Sequence, residues 1–335
     1  MTTRGWRALL ACAVLAALLP AGAVTPAVAT EIRGDGYRSW IRGNPGDVHV
    51  TVTGGAMLEG GGVDIRPAWA WFLERAGYGD IVIICATCTK GYDPLVYRTH
   101  DVDSAQTLRI TKRHAASDPY VVRTVAGADG IFFAGGDQSD YVRIWKDTPV
   151  EDAVNAAIAR GVPVGGISAG LAVLGEFVFA AEKNTITSAK ALANCFDHKI
   201  TLEREMVALP ELTATITDSH FTQRDRMGRL LTFMARTIRD GWTSGVRGIG
   251  VDEGGAALVE PGGATSVIGL APTTFVRMAS HDVLTCEPRQ ALETSYLEVH
   301  TIEPGGSFDL GSWSGDPNPP LLVKATGGEL LWAPV

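Results

Sequence analysis

The chain repeats one pattern of hydrophobic and polar positions: a short apolar run, a glycine-rich turn and then an amphipathic stretch. The apolar runs at residues 80–85, 129–134 and 162–167 contain few polar residues, which is typical of strands buried on both faces of a parallel sheet. A run at residues 47–52 predicts a strand before them. Because strand, glycine turn and helix recur at least three times, the sequence predicts an α/β fold with a mostly parallel sheet and right-handed crossovers.

Helix signals lie between and beyond these strands. Pro67 is a favourable first-turn residue, and the apolar residues after it fall on one face of a helix. The string Thr148-Pro149-x-Glu151 has the residues of a capping box, with proline at the first helical position. We also expect a helix around residues 104–113 and another over residues 227–238.

The pattern changes towards the end of the chain. Residues 248–258 predict a strand, an acidic turn and a second strand. From Glu260 onward, short strand signals alternate with Gly-Gly and Pro-Gly turns. We therefore expect an antiparallel β-rich extension over about residues 260–335, within one domain that covers residues 30–335.

Composition and charge narrow the functional classes. The 335 residues are 46% apolar and include 39 glycines, which suits a folded domain with many tight turns. The formal net charge is −8, and no basic stripe indicates a nucleic-acid partner.

The first 29 residues have the features of a secretory signal. Arg4 and Arg7 form a basic segment, residues 8–19 are apolar, and Ala27-Val28-Ala29 fits the small-residue cleavage rule. We expect cleavage after Ala29, a secreted protein (extracellular or periplasmic) and no membrane attachment afterwards; an uncleaved anchor is the alternative. The remaining 27 basic and 37 acidic residues leave a net charge of −10.

Four cysteines remain after the signal segment: Cys85, Cys88, Cys195 and Cys286. An even number in an oxidising compartment indicates structural disulfides, but four cysteines allow three pairings. The Cys-x-x-Cys spacing also occurs in redox sites and in half of a zinc site. Because no second Cys-x-x-Cys and no matching histidine pair follows, we expect no metal and one or two structural disulfides.

The apolar run at residues 162–167 leads into Gly166-Ile167-Ser168-Ala169-Gly170 and then into an apolar helix start. A G-x-S-x-G turn in this context is typical of a nucleophile elbow. The turn is so tight that a side chain at either glycine would collide with the backbone. Such a turn raises the hydroxyl of Ser168 above the sheet and leaves helix N-terminal N–H groups near an oxyanion. An ordinary glycine-rich turn is the alternative interpretation of this motif alone.

A serine hydroxyl is a strong nucleophile only when a base removes its proton and an acid orients that base. Of the seven histidines, only His220 lies in a loop beside a helix start with polar and charged neighbours. Glu253 follows an apolar strand and fits the role of the acid better than the acidic residues between Ser168 and His220. The order serine, histidine, glutamate differs from the serine, acid, histidine order of an ordinary α/β-hydrolase.

Other groups are expected near these residues. Ligands of parallel sheets bind beyond the carboxyl ends of the strands, so Gly54-Gly55, Gly135-Gly136 and Ser168 should converge. Three arginines, at positions 224, 226 and 229, lie near the start of the helix after His220. Cations normally favour the other end of a helix, so these arginines indicate binding of an anion or a carboxylate. A solvated charged face is the alternative.

Four motifs follow one another along the chain: Phe132-Phe-Ala-Gly-Gly-Asp-Gln138, Gly165-Gly-Ile-Ser-Ala-Gly170, Asp218-Ser-His-Phe-Thr-Gln-Arg-Asp-Arg-Met-Gly-Arg-Leu230 and Gly248-Ile-Gly-Val-Asp-Glu253. In this order they resemble the motifs of the cyanophycinase branch of the S51 serine peptidases. The resemblance extends from about residue 48 to about residue 310, and each motif lies at a predicted strand end. It implies a flavodoxin-like, mostly parallel sheet related to the class I glutamine amidotransferases.

The resemblance also implies a role for each matching residue. Ser168 would be the nucleophile, His220 the general base and Glu253 its orienting acid. The backbone N–H groups near Gly136 and of Ala169 would form an oxyanion hole. The positions that would shape the substrate pocket are Gln138, Asp218, Arg224 and Arg226. No cofactor is expected, and the implied substrate is a peptide or a cyanophycin-like polymer of β-Asp-Arg units.

One position departs from the family pattern: cyanophycinases usually carry glutamine where this chain has Ser219. An aspartyl or isoaspartyl dipeptidase acting on short peptides therefore remains an alternative function. A secreted binding protein without catalysis, on the same scaffold, is another. A glutamine amidotransferase would have cysteine in place of Ser168. The oligomeric state is left open, with a homodimer as one option.

Overall fold

This computed structural model describes residues 29–44, 46–88, 92–99, 101–278, 282–315 and 319–335. The proposed signal segment, except for Ala29, lies outside the described residues. In the first half of the chain the elements are β1 (Thr30–Gly34), β2 (Tyr37–Gly43), β3 (Ala56–Glu59), α1 (Arg66–Arg75), β4 (Asp80–Cys85), α2 (Asp93–Thr99), β5 (Ser104–Ile110), α3 (Pro119–Ala126), β6 (Gly130–Phe133), α4 (Gln138–Trp145), α5 (Pro149–Ala159), β7 (Val164–Ile167) and α6 (Ala169–Ala172).

The second half contains the remaining elements. They are β8 (Phe177–Phe179), α7 (Ser188–Ala193), β9 (Leu202–Arg204), β10 (Thr215–Asp218), α8 (Met227–Arg239), β11 (Arg247–Val251), β12 (Gly255–Val259), β13 (Ala264–Gly269), β14 (Thr273–Arg277), β15 (Leu284–Thr285), β16 (Glu293–Thr294), β17 (Leu297–Ile302), β18 (Ser307–Asp309), β19 (Ser314–Gly315), β20 (Leu321–Thr326) and β21 (Glu329–Pro334). Short 3₁₀ helices occupy Arg113–Ser117 and Pro210–Leu212.

The larger sheet has the order β1-β2-β5-β4-β6-β7-β3-β12-β13-β18-β19. Its five central strands, from β5 to β3, are parallel, and antiparallel strands flank them on both sides. The segment β5-β4-β6-β7 has the first four positions of the flavodoxin order 2-1-3-4-5. The fifth position is occupied by β3, which precedes these strands in the chain.

The β4 strand shows how this sheet is buried on both faces. Ile81 and Ile83 face a core that contains the apolar side of α1, whereas Val82 and Ile84 face a core that contains α3, α4 and α5. Adjacent side chains of a strand point to opposite faces, so helices on both sides require an unbroken apolar run. The strand predicted at residues 80–85 and the helix predicted at Pro67 are confirmed.

A second sheet has the order β21-β20-β17-β14-β11-β10-β8-β9. Strand β10 is parallel to both β8 and β11, and α8 buries Leu230, Leu231 and Met234 in the core of this sheet. The helix predicted over residues 227–238 is therefore confirmed. The strands after residue 260 pair antiparallel, but they extend both large sheets, apart from the short β15–β16 pair.

Two predicted elements are wrong. Residues 46–55 form no strand, and the strand of this region is Ala56–Glu59, beside β7 and β12. Residues 104–110 form strand β5 rather than a helix. Gln106 of this strand is buried and donates hydrogen bonds to Ser39 Oγ and Tyr120 Oη, at 2.6 and 2.9 Å. Partners that are distant in sequence thus satisfy the polar side chain of Gln106 inside the sheet.

The capping box at Thr148 is also wrong, although α5 begins at Pro149 as predicted. The hydroxyl of Thr148 donates to the carbonyl of Trp145 at 2.5 Å, and the carboxylate of Glu151 accepts from the N–H of Asp147. Both side chains therefore stabilise the preceding turn, which connects α4 to α5.

Two disulfides join the four cysteines, Cys85 with Cys88 and Cys195 with Cys286. The second links the loop after α7 to the segment between β15 and β16. Within the described ranges, no group of three or more His, Cys, Asp or Glu side chains has an arrangement that could hold a metal ion. In the same part of the chain, no helix has the length and apolar character needed to cross a membrane.

Candidate active site

Ser168 lies between β7 and α6 with φ of +56°, a strained backbone conformation for a residue with a side chain. A Cβ added to Gly166 would lie 2.6 Å from the carbonyl of Gly170, and one added to Gly170 would lie 2.0 Å from the carbonyl oxygen of Phe133. Only glycine fits at either position. The predicted elbow geometry is therefore present, with Ser168 at its tip.

His220 follows the carboxyl end of β10, also with a positive φ of 45°. Its Nε2 lies 2.7 Å from Ser168 Oγ, and its Nδ1 lies 2.5 Å from Glu253 Oε1. Glu253 lies in the turn between β11 and β12. The hydroxyl, imidazole and carboxylate thus form one hydrogen-bonded chain, although Ser168 follows a strand of the larger sheet and His220 follows a strand of the second.

Three interactions join the His220 loop to the Glu253 turn. The buried Asp252 accepts hydrogen bonds from the N–H and the hydroxyl of Thr222, at 2.8 and 2.5 Å. The side chain of Gln223 accepts from the N–H of Glu253 at 3.0 Å. Because the loops are tied together beside the reactive groups, the distance between imidazole and carboxylate is fixed by the fold.

The environment keeps the imidazole in its basic form. Burial lowers the pKa of His220, its hydrogen bond to the Glu253 carboxylate opposes this, and Arg224 and Arg226 lower the pKa further. The His220 side chain is 10% exposed, while that of Glu253 is 39% exposed. A neutral imidazole at neutral pH can accept the proton of a serine hydroxyl.

A cleft of about 590 Å³ lies beside Gly136. Its walls carry charges of both signs. The lining includes Gln138, Arg224, Arg226 and Arg229 together with Asp137 and Glu182, and the loop of residues 181–187 closes one side. Arg224 is exposed and forms no ion pair within the described residues, so it is the arginine most available to a ligand.

Comparisons with known proteins agree with this geometry. The model of peptidase family S51 matches residues 88–266, which is more than half of the chain. The chain belongs to peptidase family S51. Relatives include a cyanophycinase of Synechococcus elongatus, 26% identical over 247 residues, with 71% of this chain and 69% of the relative covered. A cyanophycinase of Nostoc sp. (strain PCC 7120) is 27% identical over 220 residues, with 64% and 68% covered.

One solved structure supports the fold of this S51 peptidase. It is a peptidase from an acI-B1 Actinobacterium, with a TM-score of 0.51, 17% identity, and 77% of this chain and 98% of the other covered. Together with the family match, the resemblance noted from the sequence is confirmed. The protein is a serine-type peptidase, and hence a hydrolase.

Not every residue expected in the pocket of this S51 peptidase faces the cleft. Asp218 is 3% exposed and accepts hydrogen bonds from Arg226 Nη1 at 3.0 Å and from Arg229 Nε and Nη2 at 2.7 and 2.6 Å. Its carboxylate is therefore engaged by two arginines. The geometry favours a role in holding Arg226 and Arg229 at the cleft wall over direct contact with substrate.

Ser219, the position that departs from the family pattern, is also buried. Its carbonyl oxygen accepts from Arg226 Nη1 at 2.7 Å, and its hydroxyl lies 3.4 Å from the same atom. The serine therefore packs under Arg226. Gln138 is the first residue of α4, and its Nε2 lies 3.5 Å from the carbonyl of Phe179, at the edge of the cleft.

The expected convergence of glycine turns is only partly correct. A Cβ built on Gly135 would lie 3.6 Å from Ser168 Cβ, so the Gly135-Gly136 turn is adjacent to the nucleophile. Gly54-Gly55 instead lies at the amino end of β3, because that strand begins at Ala56. The turn at its carboxyl end, Gly60-Gly61-Gly62, occupies the site. A Cβ on Gly61 would lie 2.4 Å from Cε1 of His220.

Sequence reasoning missed Gly61 because a run of glycines indicates a turn without showing what packs against it. It also missed the cleft residues Asp137, Asn184 and Thr185. Ala181 and Asn184 have positive φ values of 52° and 79°. Asparagine is enriched in this conformation, but alanine gives no sign of it in the sequence.

Proposed function

We propose that this peptidase hydrolyses aspartyl amide bonds through an acyl-enzyme on Ser168, with cyanophycin as its substrate. The observation that carries the proposal is the hydrogen-bonded chain from Ser168 through His220 to Glu253, adjacent to a cleft with charges of both signs. The cyanophycinases among its relatives suggest which aspartyl polymer fits this cleft.

In the proposed mechanism, Ser168 Oγ attacks the carbonyl carbon while His220 Nε2 accepts the hydroxyl proton. The C–N bond then breaks, His220 gives the proton to the leaving amine, and an ester to Ser168 remains. A water molecule, deprotonated by the same imidazole, attacks the ester and releases the carboxylic acid and the free serine. Glu253 orients the imidazole and stabilises its charged form.

We assign the oxyanion hole to the N–H groups of Gly136 and Ala169. Ala169 is the first residue of α6, directly after the nucleophile, where N–H groups have no acceptor within the helix. The Gly135-Gly136 turn lies against Ser168. Donors from these two turns would approach the developing negative charge from two sides.

The charges of both signs in the cleft suggest how the substrate is oriented. Arg224 has no ion pair in the described part of the chain and is placed to bind a substrate carboxylate through two hydrogen bonds. Glu182 and Asp137 are exposed in the same cleft and would receive the guanidinium of the substrate. A substrate with one carboxylate and one guanidinium per unit matches this arrangement.

We further propose that the protein is secreted, with cleavage after Ala29. The support is the sequence of the first 29 residues alone. Mass determination of protein recovered from the medium or periplasm tests this: a chain beginning at Thr30 is expected, and a chain retaining residues 1–29 would contradict it.

Residues 30–335, assayed on a panel of substrates, test the proposed activity. The panel contains cyanophycin, β-Asp-Arg, and aspartyl and isoaspartyl dipeptides with neutral second residues. Cyanophycin should give the highest kcat/KM. Faster hydrolysis of the short peptides would favour the dipeptidase alternative, and no hydrolysis of any of them would favour a binding protein.

A further inference from the structure

Glu59 is an acidic residue in the interior, directly below the active site. It is the last residue of β3 and has no exposed surface. Its neighbours across the sheet are Ile167 on β7 and Ala256 on β12. One carboxyl oxygen, Oε1, accepts the N–H of Ile65 at 3.0 Å, whereas Oε2 is buried and has no hydrogen-bond partner among the described residues.

A buried carboxyl group with one unsatisfied oxygen destabilises a fold, so its presence points to a role that an apolar side chain could not fill. The Glu59 carboxyl closes the loop between β3 and α1. The bond from Ile65 to Glu59 joins the two ends of the segment that contains Gly60, Gly61 and Gly62. Ile65 is also the N-cap residue of α1, so the bond connects the end of β3 to the start of this helix.

This loop contacts the base and the acid of the proposed triad. The carbonyl of Gly60 accepts the N–H of His220 at 2.9 Å, and Gly61 packs against the imidazole. The carbonyl of Gly61 accepts the N–H of Gly254 at 2.9 Å, next to Glu253. A Cβ added to Gly62 would lie 3.4 Å from Glu253 Cβ.

Glu59 also reaches the nucleophile through its own backbone. Its carbonyl oxygen accepts the N–H of Ser168 at 3.1 Å. We propose that Glu59 is a positioning residue of the active site. Its buried carboxyl closes the loop of Gly60, Gly61 and Gly62, and this loop fixes the imidazole of His220 relative to Ser168. The inference rests on the proposed roles of Ser168 and His220.

Because Glu59 can gain or lose a proton, its role can be tested by changing the pH. Burial raises the pKa of Glu59 to about 8, and the hydrogen bond from Ile65 lowers it only in part. The charged or titratable groups that influence it are Asp64, on the same loop, and Tyr92, which follows β4. At neutral pH the group is therefore an uncharged acid, and alkaline pH places a charge beneath the loop.

Two substitutions, Glu59→Gln and Glu59→Ala, separate the hydrogen bond that Glu59 accepts from the charge that it can carry. Glutamine keeps an oxygen that can accept the N–H of Ile65 and remains uncharged at every pH, whereas alanine removes the acceptor. Glu74→Gln, at an exposed position on α1, is the matched control for the same chemical change. The readout is the rate at which a fluorophosphonate probe modifies Ser168, measured from pH 6 to pH 10 alongside kcat and KM on cyanophycin.

At pH 7 we expect Glu59→Gln to react within about twofold of wild type, and Glu59→Ala about 10–100-fold more slowly, because small displacements of catalytic groups have effects of this size. The loss should fall on kcat more than on KM. Above pH 8 the wild-type rate should fall as Glu59 ionises, while Glu59→Gln keeps its rate to higher pH. Glu74→Gln should follow wild type throughout.

A wild-type alkaline fall that is unchanged in Glu59→Gln would overturn the proposal, even if Glu59→Ala fails to fold. A folded Glu59→Ala with the wild-type rate would also overturn it. If the probe does not modify Ser168 in the wild-type protein, the proposed triad fails instead, so the two failures are distinguishable.

Discussion

Glu59, a fully buried acid, should make the stability of the fold depend on pH. The pKa of Glu59 is about 8 in the folded protein, against 4.5 for an ordinary glutamate. The folded state therefore holds the proton more tightly than the unfolded state. The favourable contribution is complete below pH 4.5 and is lost as the pH rises through 8. Glu59→Gln removes this dependence, because an amide does not titrate.

The size of the effect follows from the difference between the two pKa values. Each pKa unit corresponds to about 1.4 kcal/mol, so a difference of about 3.5 units corresponds to about 5 kcal/mol. The free energy of unfolding of Glu59→Gln, relative to wild type, should therefore rise by about 5 kcal/mol between pH 4.5 and pH 8 and then remain constant. This is a large part of the stability of a typical domain.

Urea unfolding at half-unit pH steps, with the disulfides intact, measures this difference directly. Titrating groups without an electrostatic interaction with Glu59 contribute equally to both proteins. The difference between the two curves therefore isolates Glu59 together with its coupling to Asp64 and Tyr92. The control Glu74→Gln changes an exposed glutamate on α1 and should run parallel to wild type. Parallel curves for Glu59→Gln and wild type would refute the reasoning, since they would mean that Glu59 is ionised within the folded protein at neutral pH.

Three further substitutions test the site. Glu253→Gln should lower kcat/KM on cyanophycin by about 10²–10⁴-fold, since an amide can stabilise the wrong imidazole tautomer of His220; a loss below threefold would remove Glu253 from the mechanism. Arg224→Gln should raise KM by about 10–100-fold, because the substrate loses a charged hydrogen-bond partner. It should also shift the acidic side of the pH–rate profile to higher pH, because Arg224 lowers the pKa of His220. An unchanged KM and an unchanged pH–rate profile would contradict this. Asp218→Asn should lower the free energy of unfolding by about 3–5 kcal/mol, as measured in urea, because it leaves the buried Arg229 and Arg226 without their charged partner. Unchanged stability would contradict the assignment of Asp218 as a structural anchor.

The elbow was predictable from the sequence because its chemistry is local. Gly166 and Gly170 are required by contacts within five residues of each other and with the adjacent strand, so the motif alone indicates the turn. The strand at Asp80–Cys85 was predictable for a similar reason, because burial on both faces leaves a continuous apolar run. These features depend little on the rest of the chain.

Features that depend on distant partners were not predictable. Strand β5 contains Gln106, whose amide donates hydrogen bonds to residues of β2 and α3. Strand β3 ends in Glu59, and a glutamate gives no sign that it will be fully buried. The division of the strands into two large sheets, with Ser168 after a strand of one and His220 after a strand of the other, likewise arises from tertiary pairing.

The roles proposed for Ser168 and the cleft can be tested together by replacing the hydroxyl. Hydrolysis of cyanophycin by residues 30–335 should be reduced at least about 10³-fold in Ser168→Ala, with an unchanged unfolding curve, while Ser266→Ala, at an exposed position on β13, keeps the wild-type rate. A folded Ser168→Ala protein that still cleaves the polymer at the wild-type rate would contradict the account.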